Sequence, residues 1–281
     1  MAGTPTYARR RVGAELRRWR TAVDLSGEDV ADACGWDKSK ISRIENAKVA
    51  LTPRDLRRLC TLYGLESADA VRLETLLTEP SGPRWWARYA DFLNPAYEEL
   101  ICLESQASSV HAANANLVVG LLQTRDYATA VMTSGPSIPD PDHREALVEV
   151  RMKRQRVLVG DRPITLDAVI SEAALLCEIG GRKVLAEQLE HLLGITELPN
   201  VNLRVLPITS TANAFNGGLT LYGFPEPHDP SVLFIEYHAG TLIRDEERDI
   251  RRHRRQLEYL IANSLSAHES REHISRRLKT L

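Results

Sequence analysis

The sequence predicts a mixed fold: an all-α N-terminal domain of five helices that contains a helix-turn-helix, then a larger α+β domain with a small sheet. Three observations predict it. Apolar residues recur at three- and four-residue intervals through positions 8–78, and runs rich in β-branched and aromatic residues begin only after residue 160. The net charge of −2 also conceals a split, since residues 1–64 hold 13 Lys and Arg against 8 Asp and Glu, a balance of +5, leaving 23 against 30, or −7, for the rest. A basic module joined to an acidic body suits a nucleic-acid reader with a separate effector part. A length of 281 residues with 43% apolar content allows two buried cores.

The first helix is expected over 8–23, where Val12, Leu16, Trp19 and Val23 make one stripe and Arg9, Arg10, Arg17, Arg18 and Arg20 take the other faces. Ser26 offers an N-cap for a short second helix to Ala33, with Val30 and Ala33 inward. Gly35 can adopt the left-handed conformation that ends a helix before a tight turn. Asp37 can then cap a third helix over 38–46, whose only large apolar residues are Ile41 and Ile44. Pro53 suits the first turn of a fourth helix with Leu56, Leu59, Cys60 and Tyr63 inward, and Val71, Leu73, Leu76 and Leu77 mark a fifth over 67–78. "TEPSGPRWW" breaks the pattern, which places a linker at 79–84 between domains 1–78 and 85–281.

Beyond the linker, residues 85–113 read as helices interrupted at Pro95, followed by a helix over 124–133 and a capped helix over 140–160. Strands are expected at 164–170, 201–207, 217–224 and 231–237, with helix, turn and helix between the first two and helices again from Asp245 to the end. Cys34, Cys60, Cys102 and Cys177 lack the paired spacing of zinc or redox sites and read as reduced core residues. No stretch approaches membrane-spanning length and the N-terminus has no signal-like apolar segment, so a soluble, cytoplasmic protein is expected.

The stretch 35–60 decides between functions. A helix held by two isoleucines after a glycine turn can be pushed into a DNA groove, and Asp37, Lys38, Ser39, Lys40, Ser42 and Arg43 crowd its exposed start. Lys and Arg donate to base-edge acceptors, Ser pairs with either partner type, and phosphates flank the groove. The alternative is a merely solvated Lys/Arg-rich helix; the five-helix pattern around it favours the groove. The segment "LRRWRTAVDLSGEDVADACGWDKSKISRIENAKVALTPRDLRRLCTLYGL" resembles the Cro/phage-repressor type helix-turn-helix of the xenobiotic-response-element regulators, most specifically in "SKISRIEN". The resemblance implies base reading by Lys38, Ser39, Ser42 and Arg43, and contact with double-stranded DNA backbone by Arg17, Ser26, Asp37, Lys40 and Lys48. Two positions depart from the family: Gly27 stands where it has Gln, and Ala47 where Gly follows Asn46.

From Arg84 onward, "RWWARYADF", "GLLQTRDYA", "VISEAALL", "VNLRVLP" and "FIEY" resemble the C-terminal domain of antitoxin-like and WhiJ-like regulators. That resemblance implies an antitoxin-like regulator acting with a small partner protein docked on this domain. A homodimer on a two-fold operator is expected, because one such domain reads few bases. A small-molecule sensor with a C-terminal pocket is the alternative. No enzyme, cofactor or metal site is expected: the eight histidines are dispersed, "IGGRKV" is no phosphate loop, and Glu172 and Glu236 at strand ends suit water as readily as a pocket. Trp85 and Trp86 are expected to pack, and "RDEERDIRRHRRQLEYL" to form a salt-bridged exposed face.

Overall fold

A computed structural model describes residues 7–78, 85–134, 140–215, 217–226, 229–237 and 240–281, so the linker expected at 79–84 lies outside the described residues. The chain divides into two compact units, the first being Met1–Ala87 with Pro95–Cys102 and Glu226–Pro230, the second Arg88–Asn94, Leu103–Pro225 and Ser231–Leu281.

The first unit contains α1 (Tyr7–Ala22), α2 (Gly27–Cys34), α3 (Lys38–Glu45), α4 (Pro53–Leu62) and α5 (Ser67–Thr78). Leu16, Ile41, Leu56, Leu59 and Leu73 are fully buried in one cluster, each contributing on the order of 2 kcal/mol. Within α2 the buried arc runs through Val30, Ala31 and Cys34, so Ala33 lies outside it and is exposed, contrary to the sequence pattern. Val23 falls beyond the end of α1 and is also exposed. Arg10 is buried rather than outward, because its guanidinium donates to Glu99 at 2.5 Å. Trp86 is buried, and the rings of Trp85 and Trp86 meet edge-on at 5.7 Å.

The second unit is built on a six-stranded mixed sheet of β1 (Ser109–Asn114), β2 (Thr165–Ser171), β3 (Val201–Leu206), β4 (Gly218–Gly223), β5 (Val232–Tyr237) and β6 (Gly240–Arg244). The strand order is β3-β2-β1-β4-β5-β6, with β1, β2 and β3 parallel and β4, β5 and β6 added antiparallel. The parallel crossovers carry α7 (Arg125–Thr133) with α8 (Pro141–Arg154), then α9 (Ala173–Leu176) with α10 (Arg182–Ile195). Among the described residues, α11 (Glu247–Ala262) and α12 (Ala267–Lys279) complete the α-helices of this unit, while α6 (Pro95–Gln106) belongs to the first unit through Cys102 and to the second from Leu103. Ile250, Leu257 and Leu260 of α11 cover Leu219, Leu221 and Leu233 of the sheet. At the β3 edge the Val205 amide donates to Ser270 Oγ at 2.9 Å and its carbonyl accepts from the Leu265 amide at 2.9 Å, which occupies the backbone groups of that residue.

Two strands, β1 and β6, escape the sequence pattern. Ser109–Asn114 reads as helix because Ala112 and Ala113 favour one and only Val110 is β-branched, yet it is the strand around which the sheet is organised. Pairing on both sides, to β2 and β4, outweighs local propensity. The "GLLQT" motif is a buried turn held by amides: Gln123 Nε2 donates to Val118 O at 2.7 Å, Gln188 Nε2 to Leu122 O at 2.8 Å, and Thr124 N to Gln188 Oε1 at 2.7 Å. Cys34 and Cys60 are buried, but Cys102 is half-buried and Cys177 exposed, so the last is not a core residue.

Candidate nucleic-acid interface

Helix α3 begins on a defined corner. Gly35 has φ 60, the left-handed region that a side chain resists, and the Trp36 amide closes the turn on Ala31 O at 2.8 Å. Asp37 then caps α3, its Oδ1 accepting from the Ser39 amide at 2.9 Å and from the Ser39 hydroxyl. These hydrogen bonds hold the Asp37 carboxyl below its ordinary pKa, and the same cause acts on Asp29, which pairs with Ser26 in the capping box of α2.

The body of α3 is fixed from behind. Ile41 and Ile44 are 2% and 4% exposed. Glu45 accepts two bonds from Arg20, at 2.6 Å from Nε and 3.1 Å from Nη2, while Arg20 Nη1 donates to Leu25 O at 2.7 Å. One guanidinium thus ties α1, the α1–α2 loop and the C-terminus of α3 together. Gly13 lets α1 approach α3 closely: a Cβ there would stand 2.5 Å from Glu45 O. Directly after α3, Ala47 has φ 54 while 4% exposed, a conformation that costs a residue with a Cβ about 1–2 kcal/mol. The glycine of the resembled family at this position has a physical reason, and alanine here bears strain.

At 100° per residue, Lys38, Ser42, Ser39 and Arg43 span about 140° of the circumference, with Ile41 and Ile44 opposite. The structure brings these four predicted base readers onto one exposed flank, where the Lys38 and Arg43 side chains are 71% and 49% exposed. Lys38 pairs with Glu28, and Arg43 Nη2 lies 3.7 Å from Asp37; such exposed pairs are worth at most about 1 kcal/mol and yield readily to a phosphate. Lys40 stands apart from the flank, its Nζ 3.0 Å from Asp55 and 3.8 Å from the Trp36 ring centroid. Of the other predicted backbone contacts, Arg17 is exposed on α1, Ser26 and Asp37 sit at helix starts where amides point outward, and Lys48 is exposed just past α3. Two supporting residues have no place in the sequence reading: Gly13, which carries no periodic signal, and Trp36, on whose ring Lys40 and, at 5.9 Å, Arg58 converge.

In the second unit, Glu172 is held by neighbours on two elements. It accepts from the Ile208 amide at 2.9 Å and pairs with His273 at 2.9 Å. Glu236 lies exposed at the end of β5. Of the histidines, His228 and His238 lie outside the described residues, His143 meets Phe92 O at 2.9 Å, and burial lowers the pKa of His191.

A helix-turn-helix domain model matches residues 11–73, and a model for a domain of unknown function, DUF5753, matches residues 97–276, more than half of the chain. The chain belongs to the DUF5753 family. No curated protein and no solved structure matches it. In this DUF5753 protein the first match covers most of α1, all of α2 to α4 and the first half of α5, and it supports a DNA-binding transcription regulator. Among the described residues no helix is long and apolar enough to cross a membrane.

Proposed function

We propose that this DUF5753 protein is a sequence-specific transcription regulator of the Cro/phage-repressor type, acting in the cytoplasm as a homodimer on a two-fold-related operator. Lys38, Ser39, Ser42 and Arg43 read base edges, and Arg17, Ser26, Asp37, Lys40 and Lys48 position the domain on the backbone. The chain works by binding rather than catalysis. Its C-terminal domain docks a small partner protein, as the likeness to antitoxin-like and WhiJ-like regulators implies.

The observation that carries the DNA reading is the exposed Lys38–Arg43 flank, opposite two buried isoleucines and braced at its end by Arg20. A helix held this firmly loses little conformational freedom on entering a major groove. Footprinting with the full-length protein, alone and with the products of adjacent genes, tests the proposal. Two protected half-sites spaced about one helical turn apart are expected, with protection extended or strengthened by the partner. Absence of protection on any duplex at low ionic strength contradicts it.

A further inference from the structure

The sheet face under α11 is apolar around Leu219, Leu221 and Leu233, but one row across the parallel strands is polar. Asn202 of β3, Asp167 of β2 and His111 of β1 are successive register partners. Asn202 Nδ2 donates to Asp167 Oδ1 at 3.0 Å, and Asp167 Oδ2 lies 3.3 Å from His111 Nδ1. Amide fixes carboxylate and carboxylate fixes imidazole, an outer shell that orients a ring for use. With Nδ1 engaged, Nε2 is the ring atom left for another molecule.

His111 lines a cavity of about 320 Å³ between α11 and the β1–β4 side of the sheet, at the lower end of the range for small-molecule sites. Leu221, Leu257 and Ile261 supply its apolar wall. Gly223, also on the lining, leaves room for the Ser109 hydroxyl, because a Cβ there would overlap Ser109 Oγ. Four donor-capable groups converge on the space, His111, Ser109, Ser231 and Arg254, and Arg254 Nη2 reaches Ser231 Oγ at 3.4 Å. Among the lining residues the one carboxylate is Glu258, one turn further along α11 from Arg254. One guanidinium against one carboxylate leaves no surplus positive charge for a phosphate dianion, but it matches a monocarboxylate that also carries a hydrogen-bond donor.

We propose that this pocket binds a small amphipathic monocarboxylate bearing an α-donor group, the chemistry shared by apolar amino acids and apolar hydroxy acids. The ligand carboxylate pairs with Arg254 and Ser231, its α-group donates to Glu258, its apolar body lies on Leu221, Leu257 and Ile261, and His111 Nε2 completes the polar contacts. The site belongs to the second unit alone and stands whether or not the first unit reads DNA.

Titration of the full-length protein with L-phenylalanine and with phenyllactate, followed by NMR at the His111 ring nitrogens and the Ser109 and Gly223 amides, tests the proposal. Saturable shifts at these positions are expected below about 10 mM, with phenylalaninamide, which lacks the carboxylate, at least about tenfold weaker. Arg254→Gln, a change at an exposed position, abolishes the response while leaving the circular dichroism spectrum intact. Glu258→Gln weakens L-phenylalanine more than it weakens phenylacetate, which has no α-donor. No saturable shift from either carboxylate below about 10 mM, equal response to the amide, shifts centred elsewhere, or an unaltered response in Arg254→Gln overturns the proposal.

Discussion

Arginines clasped by glutamates recur in both units, Arg10–Glu99 in the first being as deeply buried as any, and two other pairs differ in depth. In the first unit the Arg20 and Glu45 side chains are 13% and 8% exposed, and their pairing braces a surface helix. In the second, Arg154 and Glu104 are 7% and 3% exposed, joined by two bonds of 2.7 Å beside the wholly buried Tyr222, whose hydroxyl burial pushes well above its ordinary pKa. The chemistry is shared, but the consequence of losing a partner is not. A buried guanidinium stripped of its carboxylate keeps its desolvation cost, whereas a shallower one recovers water.

Glu104→Ala therefore carries the largest expected effect, a loss of about 3–5 kcal/mol in urea unfolding followed by circular dichroism. A loss below about 1 kcal/mol would show that water reaches Arg154 and would remove the contrast. Gly13→Ala comes next. The new Cβ meets a backbone carbonyl that cannot swing aside, so α1 and α3 separate at a cost of about 1–3 kcal/mol, read as a lower unfolding midpoint. Glu45→Ala should cost less than Glu104→Ala, about 1–2 kcal/mol, because Arg20 retains Leu25 O and is nearer to solvent. Ala47→Gly runs the other way, raising stability by about 0.5–1 kcal/mol through relief of its φ of 54.

The smallest effect is in acid. Asp29 and Asp37 have folded-state pKa values below their unfolded ones, so the stability they give their helix starts is present above the ordinary carboxylate range and fades as pH falls through the lower folded values. Carboxyl carbon NMR should place both midpoints under that of an ordinary aspartate; midpoints at the ordinary value would remove the caps.

Much of the first unit was legible because its helices are local. Ser26, Gly35, Asp37 and Pro53 each announce a helix boundary through chemistry that acts within four residues. The four base-reading candidates were legible for the same reason, since helical periodicity alone sets their arc. Gly13 and the Arg20 clip were not, because both depend on an approach between elements about 30 residues apart. In the second unit β2, β3, β4 and β5 were legible from runs such as Val201–Leu206, while β1 was hidden by its alanines and β6 by its shortness. The His111–Asp167–Asn202 row was invisible because parallel register, not sequence distance, assembles it.

The central claim, that the Lys38–Arg43 flank enters duplex DNA, is tested most directly by measuring full-length protein on its footprinted operator and on a scrambled duplex across a salt series, with Arg43→Ala and Lys48→Ala beside the parent. Arg43→Ala should reduce the preference for operator over scrambled duplex by about 1–3 kcal/mol, whereas Lys48→Ala should weaken both duplexes alike and flatten the salt dependence by about one counterion. Equal losses from both substitutions on every duplex would contradict the account.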